Sequence, residues 1–145
     1  KRVFRMIPGL EKAEFIRYGV MHKNTYVNAG NILDDNFCFK KNSNIYFAGQ
    51  ISGVEGYVES AASGMMVAYS IISKLNGKRI TFPENTMLGS LAKYISTENK
   101  NYQPMNANFG IIKPLNEKIK DKKEKYTKIA NIAIESITRF SENLN

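Results

Sequence analysis

The pattern of apolar and polar residues along the first third of the chain predicts β-structure. Residues 17–28 (RYGVMHKNTYVN) are rich in β-branched and aromatic side chains, which is typical of a strand. Short apolar runs follow at residues 37–41 and 45–48, and Asn42-Ser43-Asn44 separates them. We expect these runs to form a hairpin that ends in the buried strand Ile45-Tyr46-Phe47-Ala48.

A glycine-rich turn and a long helix follow the predicted strand. The turn is Gly49-Gln50-Ile51-Ser52-Gly53-Val54-Glu55-Gly56, and we expect a helix from about Tyr57 to Leu75. Asn76-Gly77 ends the helix, because glycine suits the left-handed position after a helix. Apolar or small side chains occupy nearly every side, so we expect this helix to be buried between layers. Residues 60–64 are all small, which would let another backbone or a flat ligand approach.

The order of strand, glycine-rich turn and buried helix resembles a nucleotide-binding element. We therefore expect an α/β fold of the Rossmann-like class over residues 1–115. Residues 117–143 predict a last helix, so that 116–145 would form a separate basic amphipathic element. Its apolar residues recur at steps of three and four and define one packing face: Ile119, Tyr126, Ile129, Ala130, Ala133, Ile137 and Phe140.

Composition places the chain among globular proteins and limits its chemistry. The chain has 145 residues, of which 43% are apolar, enough to form a core. It opens Lys1-Arg2-Val3-Phe4-Arg5 without a Met, so we expect a piece of a larger protein. Cys38 is the single cysteine, which excludes an internal disulfide and fits a reducing cytoplasm. With one histidine, His22, the chain cannot supply the four ligands of an ordinary zinc site. No apolar stretch is long enough for a membrane span.

Positive charge concentrates before and within the last predicted helix. The chain carries 21 Lys and Arg against 13 Asp and Glu, a net charge of +8. A basic cluster lies within eleven residues: Lys118, Lys120, Lys122, Lys123, Lys125 and Lys128. These lysines could be the solvated face of a packing helix. They could also contact nucleic acid phosphates, which need positive charge but no fixed geometry.

The spacing of the glycines in the turn does not match the usual phosphate-binding fingerprint. Gly49, Gly53 and Gly56 are four and three residues apart, whereas the dinucleotide motif is G-x-G-x-x-G. Glu55 and Glu59 would also repel a pyrophosphate at the start of the helix. A better ligand is a group that gains partial negative charge during reaction, such as the pyrimidine edge of a flavin. A tight connection without a ligand is the alternative.

Four motifs in order resemble the folate- and FAD-dependent tRNA uracil-5-methyltransferases. The carboxy-terminal flavin motif of that family is similar to FAGQISGVEGYVESAASG, residues 47–64. RYGVMHKNTY lies upstream, and TMLGSLAKYI and YQPMNANFGI lie downstream, so the resemblance runs from about Arg5 to Leu115. The tRNA uridine-modifying flavoproteins of the GidA type share the AGQ-x-x-G element. They differ after it, where this chain has VEGYVES, residues 54–60.

The resemblance implies a reaction and a set of site residues. In this family, methylenetetrahydrofolate supplies a one-carbon unit to C5 of a T-loop uridine in tRNA. Reduced FAD supplies the electrons, and NAD(P)H recharges the flavin. The nucleophilic cysteine would lie upstream of this chain, and Cys38 is expected to be a buried apolar residue. The flavin-contacting residues implied are Gly49, Gln50, Gly53, Val54, Glu55, Gly56 and Tyr57.

Several assignments stay open at this stage. His22 is either a structural histidine or a residue that faces the folate or the flavin. Asn106, Asn108 and Phe109 have no assigned role. The chain would be a carboxy-terminal part of the methyltransferase, with the missing amino-terminal half as its partner. Alternatives are the same chemistry on ribosomal RNA, a GidA-type flavoprotein, or a non-catalytic RNA-binding module.

Overall fold

The computed structural model describes residues 1–16, 19 and 24–144. In this part of the chain it contains four α-helices: α1 (Ala29–Ile32), α2 (Tyr57–Leu75), α3 (Met87–Ser96) and α4 (Lys122–Glu142). Short 3-10 turns span Phe4–Met6 and Gly49–Ser52. The elements between these helices are extended segments and turns, so the described fold is predominantly helical.

The predicted strands are not observed among the described residues. Three isolated bridges stand in their place: Leu33 with Phe39 and Cys38 with Tyr46, both antiparallel, and Val54 with Met105, parallel. The strand expected at residues 45–48 is reduced to the bridge at Tyr46, because a strand needs consecutive paired residues along a neighbour. Residues 24–28 of the other predicted strand form no strand, and most of the rest lies outside the described residues. The α/β, Rossmann-like assignment is therefore unconfirmed.

The two apolar runs do fold back on each other as the sequence predicts. Phe39 N–H donates to Ile45 O at 2.8 Å, and Phe47 N–H donates to Phe37 O at 3.0 Å. Asn42 closes the turn, since its carbonyl accepts from Ile45 N–H and its side chain accepts from Asn44 N–H. Cys38 is buried in this hairpin, as expected of a small apolar residue.

A single cluster of buried side chains joins α1, the hairpin, the glycine-rich turn and α3. Its fully or nearly fully buried members are Ala29, Leu33, Phe37, Val54, Met66, Leu91, Ala92, Ile95 and Tyr102. Helices α1 and α3 come close because Gly30 has no side chain. A Cβ at Gly30 would lie 2.2 Å from the carbonyl oxygen of Thr97. The core therefore depends on backbone contact at this position as well as on apolar burial.

Helix α2 has the predicted bounds but not the predicted burial. Gly77 N–H donates to Lys74 O and Lys78 N–H donates to Ser73 O, which ends the helix in the expected manner. Only Ser63, Met66 and Ser70 are buried along its length. A stripe on the other side is exposed to solvent: Tyr57, Val58, Met65, Tyr69, Ile72 and Leu75. The expectation that α2 is enclosed on nearly every side is wrong for the described chain, because this stripe remains accessible.

The exposed stripe contributes to an unusually large accessible surface. The chain has 10886 Å² of accessible area. A compact monomer of this mass would expose about 7,500 Å². An apolar stripe running the length of a helix is typical of a surface that packs against another domain or chain.

Helix α4 begins later than the sequence pattern predicts. The expected start was residue 117, but Asp121 caps the helix by accepting from Glu124 N–H at 2.7 Å. Lys118 and Lys120 therefore precede the helix. The predicted packing face is largely confirmed, since Ile129 is buried and the Phe140 ring lies 5.5 Å from that of Phe82. Ile137 is more exposed than expected.

Gly30→Ala tests the close approach of α1 and α3. The added methyl group would overlap the Thr97 carbonyl, so the backbones must separate, at a cost of roughly 1–3 kcal/mol in the free energy of unfolding. Gly64→Ala is the matched control, because a Cβ there meets no atom within 4 Å and helical glycine is unfavourable. Chemical denaturation should show a lower free energy of unfolding for Gly30→Ala and no decrease for Gly64→Ala. Equal stability of the two variants would contradict the packing described here.

Candidate functional site

The glycine-rich turn changes backbone direction twice before α2 begins. Residues Gly49–Ser52 form a 3-10 turn, which ends at Gly53 in the left-handed conformation, with φ +88° and ψ +11°. Val54 is fully buried and pairs with Met105. Gly56, with φ +96°, is the residue before the first turn of α2. The turn thus presents its second half at the amino-terminal end of α2.

One serine hydroxyl holds the first half of the turn against α2, and a second closes the turn on itself. Gly49 N–H donates to Ser63 Oγ at 2.7 Å, and that hydroxyl donates in turn to Ser60 O. Ser52 Oγ donates to Gly49 O, also at 2.7 Å. The small size of residues 60–64 is evident in the sequence, but the contact of Ser63 with the turn is not. The available signal is a small polar residue about two turns into the predicted helix.

The second half of the turn is fixed by the segment around Met105. Met105 N–H donates to Gly53 O and Glu55 N–H donates to Met105 O, both at 2.9 Å. Next to this pair, Tyr102 Oη donates to the carbonyl of Ser52 at 2.7 Å in the core. The anchoring role of Tyr102 is not apparent from the sequence pattern either. A buried aromatic residue with one polar atom usually pairs that atom, but the sequence does not reveal the partner.

Burial keeps the Tyr102 hydroxyl protonated. Desolvation raises the pKa of Tyr102 well above its ordinary value, and the neighbouring Tyr94 and Tyr26 raise it further. The ring of Tyr102 lies 6.1 Å from that of Tyr26 and 6.3 Å from that of Tyr94. The hydroxyl therefore stays neutral, and a hydrogen-bond donor to Ser52, above the pH of about 10 at which an ordinary tyrosine ionises.

Gly53 is required by this arrangement for two reasons. Its φ lies in the left-handed region that side chains disfavour. A Cβ at Gly53 would also lie 2.2 Å from the Tyr102 hydroxyl. Gly53 and Val54 are buried, and the amides of Gly49, Gly53 and Glu55 already donate within the chain. Buried groups at these positions of the implied flavin motif therefore stabilise the conformation of the turn.

The exposed positions of the motif lie at the start of α2. Gln50, Glu55, Gly56 and Tyr57 are exposed, and Tyr57 is 98% accessible. Gly56 provides no side-chain cap, so amides of the first helical turn have no partner from the capping residue. Such amides, with the helix dipole, attract negative charge.

Glu59 limits the kind of group that fits this helix end. A Cβ on Gly56 would lie within 2.1 Å of a Glu59 carboxylate oxygen, which shows that this carboxylate covers the first turn of α2. A permanently charged pyrophosphate would be repelled there. The exposed amides fit a neutral ring edge that gains charge on reduction, such as the pyrimidine edge of a flavin.

The basic cluster lies before and within the first turns of α4. All six lysines from Lys118 to Lys128 are exposed. Lys128 pairs with Glu117, and Lys122 Nζ lies 5.6 Å from the centre of the Tyr126 ring. His22 lies outside the described residues. Asn106, Asn108 and Phe109 follow directly after Met105, so one segment connects the turn to the basic cluster.

No group of acidic, histidine or cysteine side chains that could hold a metal ion occurs in residues 1–16, 19 and 24–144. Within the same ranges, none of the helices has the length and apolar character needed to cross a membrane.

Comparison with known proteins defines the family. The family described as glucose inhibited division protein A matches residues 1–79, more than half of the chain, and the chain belongs to this family. The matched residues include the hairpin, the glycine-rich turn and α2.

Curated relatives are more specific. The chain is 51% identical over 146 residues to the methylenetetrahydrofolate–tRNA-(uracil-5-)-methyltransferase TrmFO of Halalkalibacterium halodurans, covering 99% of the chain and 34% of that protein. For the proteins of the same name from Streptococcus agalactiae and Pelotomaculum thermopropionicum, identity is 53% and 54%. These matches cover 97% and 99% of the chain and 32% and 33% of the relatives.

The comparisons confirm the resemblance that the four sequence motifs predicted. They also show that the chain spans about one third of the length of the curated relatives it matches. This share fits the expectation that the chain is a piece of a longer enzyme.

Tyr102→Phe tests the anchor of the turn. The variant leaves the buried carbonyl of Ser52 without its donor, which should lower the free energy of unfolding by about 1–3 kcal/mol. Tyr94→Phe is the control, since its hydroxyl donates to Gln103 O at an exposed site and should cost less than about 0.5 kcal/mol.

The same pair of proteins gives a pH test. The folded-state pKa of Tyr102 is raised, so the wild type loses stability as pH rises above the ordinary tyrosine pKa of about 10. Tyr102→Phe lacks this group, so the difference in free energy of unfolding between the wild type and the variant should become smaller above that pH. Denaturant unfolding at several pH values measures this difference. A difference that does not change with pH would contradict a buried, neutral phenol.

Proposed function

We propose that the chain is part of a flavoenzyme that methylates C5 of a T-loop uridine in tRNA. Methylenetetrahydrofolate would be the one-carbon donor, and FAD and NAD(P)H would take part in the reduction. The strongest support is sequence identity. Over nearly the whole chain, about half of the residues are identical to those of three tRNA uracil-5-methyltransferases. The glycine-rich turn contributes because its exposed half suits a flavin ring edge.

The flavin would be held by the turn and the first turn of α2. The bound cofactor supplies the electrons that convert the transferred methylene to a methyl group. Gly49, Gly53 and Val54 shape the turn from inside, while Gln50, Glu55, Gly56 and Tyr57 are exposed and would contact the cofactor. The unpaired amides after Gly56 would stabilise negative charge on the ring. His22 lies outside the described residues, so the choice between a structural role and one facing the folate or the flavin stays a prediction.

The rest of the longer polypeptide would cover the apolar stripe of α2. The large apolar side chains of this stripe face solvent, beginning at Tyr57, next to the turn. The same partner that completes the cofactor site would therefore bury the stripe. The enzyme would act in the cytoplasm, where its tRNA substrate and a reduced Cys38 are both expected.

The basic cluster would contact RNA phosphates. Lys118, Lys120, Lys122, Lys123, Lys125 and Lys128 are all exposed, and Lys128 is the one with a carboxylate partner among them. Within residues 117–128, six lysines face three carboxylates, a net charge of +3. Positive charge concentrated on one exposed segment is typical of a nucleic acid contact.

The full-length enzyme offers a direct test of this function. Methylenetetrahydrofolate labelled in its one-carbon unit should transfer the label to C5 of a tRNA uridine when FAD and NAD(P)H are present. Omitting the folate should abolish transfer, and ribosomal RNA should remain unlabelled. Transfer to ribosomal RNA alone, or none to any RNA, would contradict the proposal.

Gly56→Val in the full-length enzyme tests the role of the turn. A β-branched side chain at φ +96° is strained and would crowd the exposed amides, so flavin affinity should fall at least about tenfold. Gly9→Val is the control, because Gly9 has a similar φ of +89° but no neighbour within 4 Å and lies far from the turn in sequence. Flavin content after purification is the measurement. If Gly56→Val keeps its full flavin content, residues 53–57 are not part of the site.

A further inference from the structure

Two aromatic rings stack beside the basic cluster. The ring centres of Phe109 and Tyr126 are 4.4 Å apart, and their planes differ by 19°. Lys122 Nζ also lies near the Tyr126 ring. Phe109 remains 39% exposed although Tyr126 covers one side of it. A large aromatic residue is therefore held at the surface, stacked on a ring that a lysine also approaches.

The loop that carries Phe109 is fixed by its own hydrogen bonds. Asn108 Oδ1 accepts from Gly110 N–H at 2.8 Å, and Asn108 Nδ2 donates to Asn106 O at 3.0 Å. Asn108 O accepts from Ile111 N–H as well. The aromatic ring is thus oriented in advance, so little conformational entropy would be lost when a ligand stacks on it.

Positive charge remains at the start of α4 although the helix has an acidic cap. Lys122 and Lys123 are the first two residues of α4, and Lys118 and Lys120 precede it. The Asp121 carboxylate caps the helix and Glu124 lies in its first turn. Within residues 117–128 the six lysines still outnumber the three carboxylates, so a net positive charge is left to attract an anion at this end of the helix.

From this arrangement we infer that Phe109, supported by Tyr126, stacks an unpaired base of the RNA substrate, and that Lys118, Lys120, Lys122 and Lys123 hold the adjacent phosphates. Aromatic side chains bind bases that are splayed out of a loop, whereas the faces of paired bases are hidden in the helical stack. The inference rests on the proposed RNA substrate. Base stacking would make this surface prefer RNA loops to RNA duplexes, a preference that the lysines alone would not produce.

The test compares RNA binding by full-length variants. The probes are an RNA stem–loop and a blunt duplex of the same stem sequence, and fluorescence anisotropy at several salt concentrations gives the dissociation constants. Phe109→Leu should weaken binding of the stem–loop by about fivefold or more and binding of the duplex by less than about twofold. The salt dependence should not change, since no charge is removed.

Three further variants separate stacking from folding and from charge. Phe109→Tyr should bind the stem–loop as the wild type does, because it keeps an aromatic face. Phe140→Leu, which removes the other aromatic contact of α4, with Phe82, should not alter loop preference. The triple change of Lys120, Lys122 and Lys123 to Gln should weaken both RNAs and flatten the dependence of log affinity on log salt.

Each outcome bears on a different part of the account. Equal losses for stem–loop and duplex with Phe109→Leu, or no loss, would overturn the stacking inference while leaving the methyl transfer reaction intact. A wild type that binds anionic lipid vesicles but neither RNA would overturn it in favour of a membrane surface. If the full-length wild type prefers the stem–loop but transfers no methyl group to RNA, the proposed reaction is contradicted and the stacking inference is not.

Discussion

The short pairing between Gly53–Glu55 and Met105 is the constraint on which the rest of the site depends. Two backbone hydrogen bonds of 2.9 Å join segments fifty residues apart in sequence, and the Tyr102 hydroxyl closes the same junction on Ser52. Only glycine fits at position 53, where the left-handed backbone meets the tyrosine. This junction sets the angle at which the turn enters α2, and hence where the unpaired amides of that helix are presented.

The same junction relates the two surfaces to which we assign function. On one side of Met105, the turn exposes Gly56 and Tyr57 at the start of α2. On the other side, the chain continues through Asn108 to Phe109, which stacks on Tyr126 at the start of α4. The proposed cofactor contact and the proposed RNA contact are therefore attached to one buried anchor. Because buried pairs of this kind are rigid, displacing the anchor should disturb both surfaces together.

The sequence predicts local features well and long-range ones poorly. The bounds of α2 and the fold-back of residues 37–48 follow from local patterns, and the motif at residues 47–64 predicts the family correctly. Strand pairing and the burial of α2 depend on neighbours that periodicity does not identify. Ile119 fits the apolar period of the last predicted helix, but the cap at Asp121 determines where α4 begins. The anchoring role of Tyr102 involves a partner fifty residues away, beyond any local signal.

The central claim is that this chain supplies one side of a flavin site, with amides and an exposed aromatic residue but no phosphate-binding turn. Titrating FAD into the 145-residue chain and into the full-length enzyme, with flavin fluorescence as the readout, tests it most directly. The account predicts that the full-length enzyme retains FAD through purification and that the chain alone binds it weakly or not at all. Micromolar or tighter binding by the chain alone would contradict the account, since the main cofactor contacts would then lie within these residues.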